Sequence, residues 1–236
     1  DSPEHAELAR RGLSPALESG ILRAYRFAGK VGREGGPWKT YRLPGHVLPG
    51  AVAFEVRGPD GAVWAVKVRN PGSKADLEAA GATRYAYLTK GNHSPAWCAP
   101  GFLEDPARPM LAVEGELNAV AVQVMLEAAG QGHAYRVQGV ASASAWPHRH
   151  GLEAGRVAFL YADRDSEGDA ARDAWGMVCA STGAEVRQVK TRRGGVGVFS
   201  LPSPLDLERG ETVTAHDACD VLDPSQRPAI LTPEQY

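Results

Sequence analysis

The chain has 236 residues, 43% of them hydrophobic and 23% charged, with a formal net charge of −2. That composition is globular, contains no apolar run of about 18 residues of the kind that spans a membrane, and is too acidic for a basic nucleic-acid coat. Cys98, Cys179 and Cys219 form no CxxC pair, which argues against a disulfide scaffold or a zinc ribbon within these residues; a reducing, cytoplasmic setting is expected.

Charge is divided unevenly along the chain. Residues 1–109 hold 15 Lys and Arg against 11 Asp and Glu, whereas residues 110–236 hold 11 against 17. The most basic stretch, 21–74, has 10 against 3. A basic first half and an acidic second half fit a phosphate-binding wall facing a metal-binding wall. Uneven solvated surfaces are the plainer alternative. Length is compatible with one or two domains, and the change of pattern at residue 110 sets the expected boundary: a basic N-terminal subdomain over 1–109 and a catalytic domain over 110–236.

Two short helices are predicted within 2–20. Ser2-Pro3 and Ser14-Pro15 each put an N-cap serine before a proline, and Gly12 and Gly20 sit where C-caps belong. Leu8, Leu13, Leu17, Ile21 and Leu22 are available for docking. The Gly- and Pro-rich stretch 29–50 reads as loop. AVAFEVR and AVWAVKVR then flank a Pro-Asp-Gly turn at 59–61, a hairpin signal. Alternation sets Lys67 and Arg69 on one face and Trp64, Val66 and Val68 on the other. A further strand is predicted over 84–88, and 89–109 reads as a linker or wrapped connection.

From residue 110 strands and helices alternate. Strands are predicted at 110–113, 134–138, 156–162 and 184–190, and helices at 117–129 and 167–182. This order specifies an α/β fold with a parallel sheet and right-handed crossovers. The tail from 200 reads as irregular.

Sites in such sheets form at the carboxyl ends of strands. The first of these strands runs into Glu114-Gly115-Glu116 and the third into Asp163-Arg164-Asp165, while HDACDVL near the end supplies Asp217 and Asp220. Carboxylates gathered in one site repel one another unless a cation or raised pKa values relieve them. All-oxygen ligands favour Mg²⁺ or Mn²⁺, the usual assistants of phosphoryl transfer. A lone Asp-x-Asp is commonly a solvated turn; two acidic motifs at strand ends one crossover apart are far more specific. Trp146-Pro147-His148-Arg149-His150 brings two histidines together without a nearby third ligand, and reads as a polar loop rather than a metal site. Trp38, Trp64 and Trp97 are possible base-stacking residues, with packing the expected role of Trp64.

These motifs resemble a known family. MLAVEGELNAVAV resembles the first Toprim motif, FLYADRDSEGDAAR the second, and HDACDVL the Lys-Asp-Ala-Asn-Asp-x-Leu segment of phage primase–helicases. The hairpin followed by TRYAYL resembles the basic subdomain that precedes the Toprim core in DnaG-type and phage primases. The resemblance implies a Toprim-type parallel sheet flanked by helices, preceded by a smaller basic α+β subdomain. It implies a primase-like nucleotidyltransferase core of the DNA-directed RNA polymerase type, making short primers on a single-stranded DNA template from nucleoside triphosphates. A plasmid or phage replication setting and a replicative helicase as partner go with it. Glu114, Asp163 and Asp165 would be catalytic. Those three, with Asp217 and Asp220, would hold Mg²⁺ or Mn²⁺, and Lys67, Arg69, Arg84 and Lys90 would contact nucleic acid or nucleotide. The position four after Glu114, an Asp in many primases, is Asn118 here, with Glu116 as a neighbouring carboxylate. A Toprim nuclease and a non-catalytic single-strand-binding module are the alternatives, and no tyrosine-bearing cleavage domain fits a topoisomerase.

Overall fold

The computed structural model describes residues 8–9, 11–26, 47–48, 50–88, 94–142, 144–162 and 166–188. They build two sheets. The first is a four-stranded antiparallel sheet in the order β1 (Ala24–Arg26), β2 (Val52–Arg57), β3 (Val63–Arg69), β4 (Tyr85–Tyr87). The hairpin lies where the sequence places it. Asp60 Oδ1 accepts from the Ala62 amide at 3.0 Å, and Gly61 takes a positive φ of 76° to turn the chain. A short helix, α1 (Ser14–Glu18), precedes this sheet, and α2 (Lys74–Ala79) lies between β3 and β4. Pro15 stands inside the first turn of α1, but the residue at its N-cap is Leu13, not Ser14. The cue for α2 is a capping box in which Ser73 and Asp76 each bond the other's backbone N–H.

The second sheet has five strands in the order β5 (Trp97–Cys98), β7 (Arg136–Val140), β6 (Met110–Glu114), β8 (Val157–Tyr161), β9 (Glu185–Gln188). Strands β6 to β9 are parallel, and β5 is antiparallel at the edge. Thus the stretch read as a connection contributes an edge strand. The crossover helices are α3 (Glu116–Ala128) and α4 (Ser166–Ala180). This is the mixed α/β architecture with a mostly parallel sheet that the strand–helix alternation specifies.

Alternate residues of the parallel strands serve different cores. Leu111, Val113, Val137, Phe159 and Tyr161 join the cluster that contains α3, whereas Met110, Ala112, Ala158, Leu160 and Ala162 pack with Ala171, Trp175 and Cys179 of α4. The two helices therefore cover opposite faces of the sheet. Helix α4 buries a stripe at four-residue spacing, as a surface helix does. Helix α3 buries ten of its 13 residues, so it is covered on both sides. Beyond it lie Leu13 and Ala16 of the α1 region and Val52, Phe54, Val56 and Ala65 of the hairpin, all in the same cluster. The small sheet and the large one thus share one hydrophobic core through α3. Among the described residues no helix is long and apolar enough to cross a membrane.

Candidate active site

The chain leaves β6 through α3 to β7 on one side, and β8 lies on the other side of β6. The strand order reverses there, which opens a crevice beyond the carboxyl ends of β6 and β8. Val113 is in register with Tyr161, so the two strands end side by side, β6 at Glu114 and β8 just before Ala162. Half-buried Glu114 occupies the β6 end of this crevice.

The turn after Glu114 is tightly specified. Gly115 is the N-cap of α3, with φ 83° and ψ 134°, a conformation that essentially only glycine adopts. Its amide donates to the Val140 carbonyl at 2.7 Å, prolonging the β6–β7 pairing by one residue. Asn118 donates from Nδ2 to the Glu114 carbonyl at 2.9 Å. Strand β7 passes so close that a Cβ on Gly139 would lie 2.6 Å from the Glu116 Cα and 2.8 Å from the Ala119 Cβ. The Gly139→Ala variant must push strand and helix apart, so its unfolding free energy in urea is expected to fall by about 1–3 kcal/mol.

Glu116, in the first turn of α3, faces the small sheet. It is 2% exposed and accepts bonds at 2.7 Å on both carboxylate oxygens from Lys67 Nζ, itself 4% exposed. The Tyr87 hydroxyl donates to Glu116 Oε1 at 3.2 Å. Burial first, then the Glu116 charge, holds the Tyr87 phenol well above its ordinary pKa, so it remains a donor. The Lys67 ammonium also lies over the Tyr85 ring at 4.7 Å and the Tyr87 ring at 5.2 Å. Arg69 is nearly buried and donates to the Tyr85 hydroxyl at 2.7 Å. Lys67 and Arg69 do share a face, as alternation requires, and that face is turned inward. The opposite face carries half-exposed Trp64 and a small cluster of Ala51, Ala53 and Val68.

The sequence-based site residues fall into three groups. Glu114 is at the crevice. Lys67 and Arg69 lie under the small sheet with protein partners, and Arg84 is exposed. Lys90, Asp163, Asp165, Asp217 and Asp220 are outside the described residues. Among the described residues no group of three or more His, Cys, Asp or Glu is assembled for a metal ion. Glu116, the carboxylate that neighbours position 118, is committed to Lys67 and Tyr87. The ion pair itself escapes sequence reasoning, because its partners are 49 residues apart.

The 146–150 loop is pinned from within. Gln138 receives the His148 amide on Oε1 at 2.7 Å and donates to the His148 carbonyl at 3.1 Å. Buried Arg136 donates to the carbonyls of Arg108, His150 and Gly151, and Trp175 Nε1 donates to the Ala145 carbonyl at 2.9 Å. Burial is the main cause of a lowered pKa for His148. The folded protein therefore keeps His148 neutral, while the unfolded chain takes up a proton near pH 6.5. Below that pH the unfolded state binds more protons, so stability declines as pH falls through the folded pKa. Urea titrations at stepped pH are expected to show a smaller loss below about pH 6.5 for His148→Asn than for wild type.

No protein-family model matches the chain, and no curated protein matches it in sequence. Solved structures do. The DnaG primase catalytic domain bound to ssDNA aligns over 89% of this chain and 70% of its own, at 18% identity and a TM-score of 0.47. The DnaG catalytic core aligns over 89% and 69%, at 19% identity and 0.48. The zinc-binding and RNA polymerase domains of Aquifex aeolicus primase align over 81% of this chain and 50% of theirs, at 13% identity and 0.50. The chain thus spans about half the length of the Aquifex protein's structure. At a TM-score of 0.50 the Aquifex primase structure shares the fold of this chain.

Proposed function

We propose that this chain is a primase catalytic core that joins nucleotides into short primers on single-stranded DNA, in a plasmid or phage replication system. The observation that carries this reading is Glu114 at the switch point of a sheet resembling that of primases, with Asp163 and Asp165 next in sequence after the neighbouring strand. Their oxygen donors suit a hard divalent cation, and Glu114, the member of the set among the described residues, lies at the crevice. Glu114, Asp163 and Asp165, with Asp217 and Asp220, would hold Mg²⁺ or Mn²⁺. When bound, the ion supplies charge neutralisation at the phosphates and activation of a primer 3′-hydroxyl.

The protein's own groups have separable tasks. The Gly115 turn and the Asn118 amide fix the backbone that presents Glu114. Exposed Arg84, with Lys90, neutralises phosphates of the template or of an incoming nucleoside triphosphate. Arg69 adds positive potential from the inner face of the small sheet, where Lys67 is held on Glu116. A replicative helicase is the proposed partner, on the resemblance of HDACDVL to phage primase–helicases.

The test is incubation of the full chain with a mixed-sequence single-stranded DNA template, labelled nucleotides and Mg²⁺ or Mn²⁺. Short labelled products that require both metal and nucleoside triphosphates are expected. Metal-dependent loss of the template without nucleotides would overturn the reading in favour of a nuclease.

A further inference from the structure

We propose that Trp146 and Trp64 form a stacking surface for the bases of single-stranded DNA, a proposal that rests on the template reading above. Trp146 is 58% exposed and Trp64 is 45% exposed, two of the large apolar side chains left in solvent among the described residues. Buried aromatic residues are the norm for a core, and exposed tryptophans held in fixed positions mark binding surfaces.

Both are held. The Trp64 indole lies against Gly58, where a Cβ would come within 2.2 Å of its ring. Its ring also meets the His148 imidazole edge-to-face, with centroids 5.1 Å apart. His148 is two residues from Trp146, so hairpin and loop bring the two tryptophans to one junction. The loop is fixed from inside by Gln138, Arg136 and Trp175, yet Trp146 projects outward. Three buried side chains order a short segment whose largest residue contributes little to the core. That arrangement orders the backbone that carries Trp146 before binding.

The electrostatic setting selects the partner. Residues 128–152 contain no Asp or Glu and carry His133, Arg136, His148, Arg149 and His150. Arg136 is spent on backbone carbonyls, but Arg149 and His150 are exposed beside Trp146. Asp60, exposed in the hairpin turn, acts on His148 from the Trp64 side; on the loop side the exposed Trp146 indole beside the Arg149 guanidinium fits a strand that offers flat bases and phosphates.

The test is fluorescence anisotropy of the full chain with end-labelled oligothymidine and with an abasic strand of the same length. Wild type is expected to prefer oligothymidine. Trp146→Ala is expected to weaken that affinity about tenfold and to leave abasic binding unchanged. Trp146→Phe should retain most of the preference, since a flat ring remains. Trp64→Phe should do the same without the packing loss of an alanine. Equal affinity of wild type and Trp146→Ala for oligothymidine would overturn the proposal, as would equal affinity of wild type for the two strands. So would light scattering that shows wild-type dimers lost in Trp146→Ala with DNA affinity unaffected, since the surface would then join copies of the chain. If primers are made but Trp146→Ala binds normally, the stacking surface falls and the template reading stands. If Trp146→Ala loses the base preference while wild type makes no primers, the surface stands and the primase reading falls.

Discussion

Replacing Lys67 by methionine is expected to lower the unfolding free energy by about 3–5 kcal/mol, read from the urea midpoint at constant m-value. Lys67 donates to both oxygens of Glu116 at 2.7 Å, and both groups are almost fully buried. Without the ammonium, Glu116 keeps the Tyr87 hydroxyl as its recorded donor, too little for a carboxylate removed from water. The cost arises from the orphaned charge rather than from any large net stabilisation by the pair, because desolvation offsets most of the attraction between buried ions. The double variant Lys67→Met, Glu116→Leu is therefore expected to recover most of the loss, and the cycle should show strong coupling. Additive losses would show that the two residues stabilise the protein independently. The location gives the pair a second consequence. Strand β3 belongs to the small sheet and Glu116 opens α3, one residue beyond the Glu114-Gly115 turn, so this contact ties the small sheet to the helix that starts at the crevice.

Substituting Glu114 by glutamine is expected to reduce primer synthesis by about 10²–10⁴-fold, the range in which a single acid–base group contributes. The substitution is nearly isosteric, so thermal unfolding should change little. Asn118 bonds the backbone carbonyl of Glu114 rather than its carboxylate, and Gly115 sets the turn, so the local backbone should survive. Glu116→Gln provides the contrast. It should affect stability through Lys67 and leave more activity than Glu114→Gln once both are compared well below their unfolding transitions. Comparable activity losses in the two would remove the distinction between the carboxylate at the crevice and the one under the small sheet.

How much of this was legible in the sequence depended on the range of the interaction. The parallel strands were visible as short apolar runs, and Glu114 stood out because Glu-Gly follows such a run. Helix α3 was visible from its periodic apolar residues. Strand β7 runs from Arg136 to Val140 rather than over 134–138; it continues through Gly139, a residue that reads as a breaker but that the close approach of α3 requires inside the strand. Strand β5 has two residues and exists only by pairing with Gln138 and Gly139, so local pattern could not reveal it. Alternation correctly grouped Lys67 with Arg69, but which face was inner depended on α3 covering it. Trp64 was expected to pack, and it does meet His148, while nearly half of it stays in solvent. Helix α2 carried a readable Ser73-x-x-Asp76 cue, but with Leu77 as its one buried residue it showed no apolar period.

The most direct measurement is incorporation of labelled nucleotides on single-stranded DNA by wild type and by Asp163→Ala, with Mg²⁺ or Mn²⁺ and with circular dichroism to establish that both are folded. Short products from wild type and none from the variant are the expected result. Undiminished synthesis by a folded Asp163→Ala protein would contradict the assignment of the site to the carboxyl ends of β6 and β8.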